Sequence, residues 1–125
     1  MPGFETWDVV KVPFPYTDRP VRERRPALVL CAGDIEKRHG LLWVLMITSA
    51  KNRGWPGDVD ISLLEESGLP AASVVRTAKI ATIEVGDAVR IGSLPVKDRA
   101  KVSSFVFKTI EEALGASLKR KPHGK

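Results

Sequence analysis

Four arginines within seven residues form the densest group of chemically useful side chains in the sequence. They lie in the polar segment PYTDRPVRERRP and are Arg19, Arg22, Arg24 and Arg25. A guanidinium is permanently charged, planar and able to bind phosphate through two parallel hydrogen bonds. It can therefore stabilise a phosphoryl transition state, although it is a poor general base. The alternative is a solvated charge cluster in which Asp18 and Glu23 are the partners.

The position of Arg25 can be predicted more closely from its neighbours. Pro26 biases Arg25 towards an extended backbone at the start of a strand. If the apolar runs Ala27–Ala32 and Leu41–Ser49 form a hairpin about the middle of GDIEKRHG, paired residue numbers sum to about 73. Arg25 then lies opposite Thr48, and directly opposed side chains have Cβ atoms about 5 Å apart. We therefore expect a guanidinium and a hydroxyl to meet at the rim of the sheet, where they could bind a phosphate.

The sequence contains no common nucleotide-binding loop and no zinc-protease motif. The single Cys31 excludes an internal disulfide and a paired-cysteine zinc site. His39 lies in a polar turn and His123 near the C-terminus, and we expect both to be solvated. Asp58 and Asp60 would share one face of a strand, where they could hold a divalent ion or form the solvent face of an edge strand. We favour the solvent face, and predict neither a metal nor a cofactor.

Trp55 is an aromatic residue between cations and a turn, in the segment KNRGWPG. An aromatic ring beside Lys51 and Arg53 could stack on an unpaired base. Alternatively, Trp55 covers an edge of the core or packs against a protein partner. Trp7 and Trp43 lie in apolar runs, and we expect them in the core.

The composition is that of an ordinary globular domain. The chain has 125 residues, of which 43% are hydrophobic and 28% are charged. This length supports one core, and the composition excludes a disordered chain and a coiled coil. The longest apolar run, Leu41–Ile47, is much shorter than the roughly 20 residues of a membrane helix, and the N-terminus has no signal-peptide pattern. We therefore expect a cytoplasmic protein with a single domain at residues 1–118.

The net charge of +5 is distributed unevenly. Four of the 20 basic residues lie in the segment 119–125, so residues 1–118 have a net charge of only +1. The segment 119–125 has no apolar periodicity, and we expect a disordered basic tail. The positions of individual arginines are therefore more informative than the total charge.

Apolar and β-branched runs predict six or seven short strands, without a helix between them. The clearest runs are Trp7–Val12, Ala27–Ala32, Leu41–Ser49, Val59–Leu63, Ser73–Glu84 and Ala88–Ile91. This pattern indicates a mainly β fold, with an antiparallel, strongly bent sheet or small barrel. The second and third runs are continuous rather than alternating, which predicts strands that are covered on both faces.

One segment, Lys97–Leu118, has the periodicity of an amphipathic helix. Its apolar stripe consists of Val102, Phe105, Val106, Ile110, Ala113 and Leu114. The stripe must pack on the sheet or on a second subunit, and the sequence does not choose between them.

The order of several motifs resembles that of the MazF/PemK toxins of bacterial toxin–antitoxin pairs. The motifs are WDVVKVPF, RRPALVL, ITS, and SVVR followed by IATIE, within residues 7–114. The resemblance implies an SH3-like small barrel with a C-terminal helix, a homodimer, and an antitoxin partner. It also implies a metal-independent endoribonuclease that cleaves single-stranded RNA at short sequences. In that reaction the ribose 2′-hydroxyl attacks its own phosphate and gives a cyclic phosphate and a 5′-hydroxyl.

The resemblance also implies roles for individual residues. It makes Arg25 and Thr48, the same two residues that the hairpin arithmetic brings together, the catalytic pair, and adds Arg76 from the PemK-like members. Those members have an aspartate where this chain has Ala78, and Asp18 or Glu23 could replace that carboxylate. This departure leaves open an alternative, a non-catalytic module of the same fold that binds nucleic acid or protein. The RNA-binding candidates are Arg22, Arg24, Lys51, Arg53, Trp55 and Lys79.

Overall fold

The structure is a computed structural model and describes residues 3–14 and 23–119. The strands are β1 (Asp8–Phe14), β2 (Glu23–Cys31), β3 (Leu41–Ser49), β4 (Asp58–Asp60), β5 (Ser73–Glu84) and β6 (Val89–Ser93). The helices are α1 (Asp34–His39), α2 (Leu64–Ser67) and α3 (Val96–Lys119). The strands form one antiparallel sheet in the order β4-β5-β3-β2-β1-β6. The predicted fold class is confirmed, although the pairings among the described residues leave the sheet open rather than closed into a barrel.

Both faces of the sheet are covered. On the face of α3, Leu28 and Leu45 pack with Val102 and Val106 of the helix, all of them buried. On the opposite face, a second buried cluster contains Val10, Val12, Ala27, Val29, Leu42, Val44 and Met46. The central strands β2 and β3 contribute to both clusters, which confirms the prediction drawn from their continuous apolar runs.

The register of β2 and β3 agrees with the predicted hairpin. Ala27 pairs with Met46, and Val29 pairs with Val44, so paired numbers sum to 73. A bulge follows, after which Cys31 pairs with Trp43. This register places Arg25 and Thr48 at the same end of the hairpin.

A large irregularity in β5 sets the position of Arg76. Met46 pairs with Arg76 and the adjacent Leu45 pairs with Ile80, so residues 77–79 form an insertion in β5. Such bulges bend a strand and redirect its side chains. The part of β5 before the bulge lies between β3 and β4, and there Arg76 is also the partner of Asp58.

Two short helices correct the prediction of strands without helices between them. The segment predicted as a turn between β2 and β3 is α1, which ends at Gly40 with φ 67°. Its acidic first turn and basic last turn suit the helix dipole. α2 occupies the turn predicted after β4. Both helices are too short to show an apolar period, so the sequence pattern did not reveal them.

The tryptophan predictions had different outcomes. Trp7 is half-buried against the cluster beneath α3. Trp43, however, is 43% exposed, which contradicts its assignment to the core. Trp43 is on the same face of β3 as Leu45 and Ile47, which belong to the cluster beneath α3. It lies two residues nearer the start of the strand than Leu45, where this cluster does not cover it.

α3 confirms the predicted C-terminal helix, but its apolar stripe is only partly covered. Val102 and Val106 are buried, whereas Phe105, Ile110 and Leu114 are exposed. α3 extends through Lys119, and the remainder of the predicted tail, residues 120–125, lies outside the described residues. No helix in the described ranges is long and apolar enough to span a membrane.

Candidate functional site

A groove with a volume of about 250 Å³ lies at the rim of the sheet, where β2 begins and β3 ends. We call it the rim groove, lined by Lys11, Arg24, Arg25, Pro26, Ile47, Thr48, Ser49 and residues 69–73. Three cationic residues and three hydroxyl-bearing residues (Thr48, Ser49 and Ser73) therefore line the same space. Arg25 and Thr48 both line this groove, while the paired residues of β2 and β3 end at Ala27 and Met46, before the predicted Arg25–Thr48 pair.

Arg25 is only partly buried. It lies near the start of β2, where it pairs with Val12 of β1. Its Nε and Nη2 atoms donate to Oε1 of Glu23 at 3.3 and 3.0 Å. The two side chains are 43% and 48% exposed. Because an ion pair this exposed contributes little free energy, a phosphate could compete for the guanidinium.

Thr48 is held by a residue that sequence analysis did not identify. A 3₁₀ turn, Ala50–Asn52, follows β3 and begins where the Ser49 side chain accepts a hydrogen bond from the Lys51 amide at 3.2 Å. This turn brings the Asn52 side chain back over the end of the strand. Asn52 Nδ2 donates to Thr48 Oγ1 at 3.0 Å. The sequence carries no signal for this contact beyond the spacing of four residues.

Arg76 occupies a different environment, the Arg76 cluster, which comprises Arg76, Asp58, Trp55 and the main-chain carbonyl of Asn52. Its Nε and Nη2 atoms donate to the two carboxylate oxygens of Asp58 at 3.2 and 3.0 Å. Nη2 also donates to the Asn52 carbonyl at 2.6 Å. The guanidinium carbon lies 4.0 Å from the centre of the Trp55 ring. Arg76 and Asp58 are only 11% and 7% exposed.

Electrostatics favour the charged form of both partners. The hydrogen bonds from Arg76 lower the pKa of Asp58, and the main-chain amides of Trp55 and Gly54 lower it further, against an opposing effect of burial. The Asp58 carboxylate raises the pKa of Arg76 in turn. Asp58 is therefore an anchoring group whose two oxygens are already bonded, and it is poorly suited to accept a proton from a substrate.

The position of Asp58 corrects the expectation that both aspartates face solvent. β4 is indeed an edge strand, and Asp60 is exposed and pairs with Arg53 at 3.2 Å. The Asp58 side chain is instead buried and bonded to Arg76 and to two main-chain amides. The sequence pattern missed this because the contact depends on the pairing of β4 with β5. The described ranges contain no group of three or more histidine, cysteine or acidic side chains that could hold a metal ion.

Only some of the remaining predicted site residues lie at the rim groove or in the Arg76 cluster. Arg24 lines the rim groove, and Trp55 belongs to the Arg76 cluster. Lys51, Arg53 and Lys79 are exposed and do not line the rim groove. Ala78 is exposed within the bulge of β5 and supplies no carboxylate. Arg22 and Asp18 lie outside the described residues.

Comparison with solved structures supports the fold. A MazE–MazF complex from Deinococcus radiodurans gives a TM-score of 0.67 at 20% identity and covers 88% of this chain and 97% of that chain. The Mycobacterium tuberculosis toxin MazF-mt6 gives 0.65 at 22% identity, covering 83% and 96%. An endoribonuclease in complex with its cognate antitoxin, from a mycobacterial species, gives 0.67 at 14% identity, covering 88% and 95%.

Sequence comparison identifies the family. A search of curated proteins returns no significant match. The family model described as the PemK-like, MazF-like toxin of type II toxin–antitoxin systems matches residues 5–117, which is nearly the whole chain. Fold, motif order and family model agree, and the chain belongs to the PemK-like, MazF-like family of type II toxins.

Proposed function

We propose that this protein is the toxin of a type II toxin–antitoxin pair and acts as an endoribonuclease on single-stranded RNA. The observation that carries the proposal is the joint placement of Arg25 and Thr48 in the rim groove. A permanent cation beside a hydroxyl suits the recognition of a phosphodiester whose negative charge grows in the transition state. Membership of the toxin family supports the same reaction class.

In the proposed reaction the ribose 2′-hydroxyl attacks the adjacent phosphorus. The O2′–P bond forms, the P–O5′ bond breaks, the O2′ proton leaves and the departing O5′ gains a proton. The products are a 2′,3′-cyclic phosphate and a 5′-hydroxyl. Arg25 neutralises the non-bridging oxygens, exchanging its exposed bond to Glu23 for the phosphate. Thr48 donates a hydrogen bond to the same phosphate. The chemistry we propose requires no cofactor.

The RNA strand is proposed to extend from the rim groove across the exposed cations. Lys11 and Arg24 lie along the groove and would contact neighbouring phosphates. Trp55 is 49% exposed, and Arg76 covers one face of its ring. The other face could stack on an unpaired base, which gives affinity with little sequence preference.

Arg76 is proposed to act from behind the groove rather than by direct contact with the scissile phosphate. Its bidentate contact with Asp58 and its low exposure leave it poorly placed to bind a ligand without rearrangement. It nevertheless fixes the backbone of Asn52, the residue that contacts Thr48. Its role in this proposal is to hold the turn that carries the site.

Protein partners are proposed from the family and the exposed apolar surface. One structural relative is solved with MazE and another with its cognate antitoxin. We propose that this chain likewise binds an antitoxin, forms a homodimer and acts in the cytoplasm. Phe107 is 72% exposed and Leu114 is 60% exposed on α3, an apolar surface that either partner would cover.

The test is incubation of the purified protein with mixed-sequence RNA in EDTA. We expect cleavage with 5′-hydroxyl ends that accept a label directly from polynucleotide kinase, and none in an oligonucleotide that lacks the 2′-hydroxyl at the cut. Arg25→Ala should reduce the rate about 100-fold or more. Arg38→Ala is the matched control, because Arg38 is an exposed arginine on α1. Absence of cleavage by the wild type, or equal rates in Arg25→Ala, would overturn the proposal.

A second candidate function is RNA binding without turnover. The engagement of Arg76 by Asp58 favours it, since one of the three predicted catalytic groups is occupied in the structure. Ala78 also supplies no carboxylate. Salt-sensitive binding of RNA that weakens in Arg25→Ala, without any cleavage, would support this function over the first.

A further inference from the structure

We propose that Asn52 is a positioning residue that orients the hydroxyl of Thr48 towards the phosphate. The inference rests on the proposed function and deepens it, because it concerns the same groove. Its basis is a chain of two hydrogen bonds with Asn52 in the middle. The Asn52 side chain contacts Thr48, and the Asn52 carbonyl contacts Arg76.

The direction of the first bond determines where the Thr48 proton points. Thr48 Oγ1 accepts from Asn52 Nδ2 at 3.0 Å, so one lone pair of the hydroxyl is occupied. The single hydroxyl proton must then point away from Asn52. Thr48 lines the rim groove, so a phosphate there can accept it. Accepting one hydrogen bond also polarises a hydroxyl and strengthens the bond that it donates.

The second bond explains why an exposed asparagine can act as a fixed support. The Asn52 carbonyl accepts from Arg76 Nη2 at 2.6 Å, and Arg76 is locked on both oxygens of the buried Asp58. The backbone of the 3₁₀ turn is therefore tied to β4 and β5. Because the two bonds use different atoms of Asn52, a side-chain substitution removes the contact to Thr48 and retains the carbonyl that contacts Arg76.

The experiment is a double-mutant cycle on the cleavage rate. Asn52→Ala should lower kcat about 3- to 10-fold, the effect of one hydrogen bond, with little change in KM. Asn52→Asp should cause a larger loss, because a carboxylate can only accept and would take the Thr48 proton. In a Thr48→Ala background, Asn52→Ala should have less than about a 2-fold effect, since the group that it positions is gone.

Controls separate positioning from a general structural role. The melting temperature of Asn52→Ala should match that of the wild type, because Asn52 is exposed. Thr82→Ala, at an exposed threonine near the other end of β5, should leave kcat unchanged. The added charge of Asn52→Asp is measured by itself in the Thr48→Ala background and subtracted.

Two results would overturn the inference while the proposed function stands. One is a wild-type kcat in Asn52→Ala. The other is an equal loss from Asn52→Ala with and without Thr48. If the wild type cleaves no RNA, the proposed function fails and the inference is decided by affinity for a non-cleavable 2′-deoxy oligonucleotide. Asn52→Asp should then weaken binding about 3-fold or more beyond the loss that the same substitution causes in the Thr48→Ala background. Unchanged affinity would overturn the inference.

Discussion

Arg25 and Arg76 are two arginines assigned to the same site by sequence, yet the fold places them in opposite environments. Arg25 is nearly half exposed, and its carboxylate partner Glu23 is as exposed as it is. Arg76 is almost fully buried and bonded to both oxygens of an equally buried Asp58. Arg25 is therefore partly exposed at the rim groove, whereas Arg76 is held within the sheet by Asp58.

Position in the sheet accounts for this difference. Among the described residues, the β2–β3 pairing ends at Ala27 and Met46, so Arg25 lies beyond it, beside β1 alone and open to the rim groove. Arg76 lies on β5 with β3 on one side and β4 on the other. A cation between two strands needs a partner within the protein, and β4 supplies Asp58. Residue type alone therefore does not separate an exposed arginine at the rim from one that is ion-paired within the sheet.

The largest expected effect on stability comes from removing Asp58, the carboxylate partner of Arg76. The matched substitution at the other arginine removes Glu23. Asp58→Ala should lower the free energy of unfolding by about 2 kcal/mol, because it deletes charge-assisted bonds from Arg76 and from two main-chain amides and leaves a buried guanidinium. Glu23→Ala should cost no more than about 0.5 kcal/mol, because its ion pair is exposed. Urea denaturation of both variants measures the difference. Equal losses would contradict the contrast between the two regions.

The pH dependence of stability should also reflect the buried pair of Asp58 and Arg76. The pKa of Asp58 is lowered in the folded protein, chiefly by the Arg76 hydrogen bonds, so folding favours its ionised form. The resulting stabilisation is fully present above the unfolded-state pKa of about 3.9 and is lost as the pH falls through the lower folded-state pKa. Between pH 5 and pH 3, the urea midpoint of the wild type should therefore fall more than that of Asp58→Asn. Parallel falls in the two proteins would contradict this assignment.

The sequence was sufficient to predict the rim groove because its determinants are local and periodic. Two continuous apolar runs predicted β2 and β3, and their spacing predicted the register that places Arg25 and Thr48 at the same groove. The Arg76 cluster was beyond the same reasoning. It depends on the pairing of a three-residue strand, β4, with β5, and on the insertion of residues 77–79. Neither feature has a sequence period, so Asp58 was assigned to the solvent face.

Asn52 and Trp43 show two further limits of sequence patterns. The contact of Asn52 with Thr48 arises from a single 3₁₀ turn, and such a turn is too short to leave a repeating pattern. Trp43 follows the apolar pattern of β3, but the cluster under α3 does not reach its end of the strand. Burial of Trp43 would require a neighbour that the local pattern cannot specify.

The Trp55 side chain should have an intermediate effect on stability, because its ring packs against Arg76, while its main-chain amide, which bonds to Asp58, is unchanged by substitution. Trp55→Ala removes the ring 4.0 Å from the Arg76 guanidinium and should cost about 0.5–1 kcal/mol. Trp55→Phe keeps an aromatic face and should recover part of that loss. Urea denaturation provides the measurement. A loss in Trp55→Ala as large as that in Asp58→Ala would mean that the ring, rather than the carboxylate, holds Arg76 in place.

The smallest expected effect on stability belongs to Arg53, whose pair with Asp60 is exposed on both sides. Arg53→Ala should change the free energy of unfolding by no more than about 0.5 kcal/mol. If RNA crosses this surface, the same variant should make the plot of log affinity against log salt less steep by about 0.7, the contribution of one phosphate contact to a single strand.

Asp60→Asn provides the opposing control, because it releases Arg53 from its ion pair with Asp60 and should strengthen RNA binding slightly. Fluorescence anisotropy with a labelled 2′-deoxy oligonucleotide measures both variants across a salt series. An unchanged slope in Arg53→Ala, alongside a reduced slope in Arg24→Ala, would confine the RNA path to the rim groove. The contribution of a basic side chain to RNA binding would then depend on its position along the rim groove as well as on its exposure.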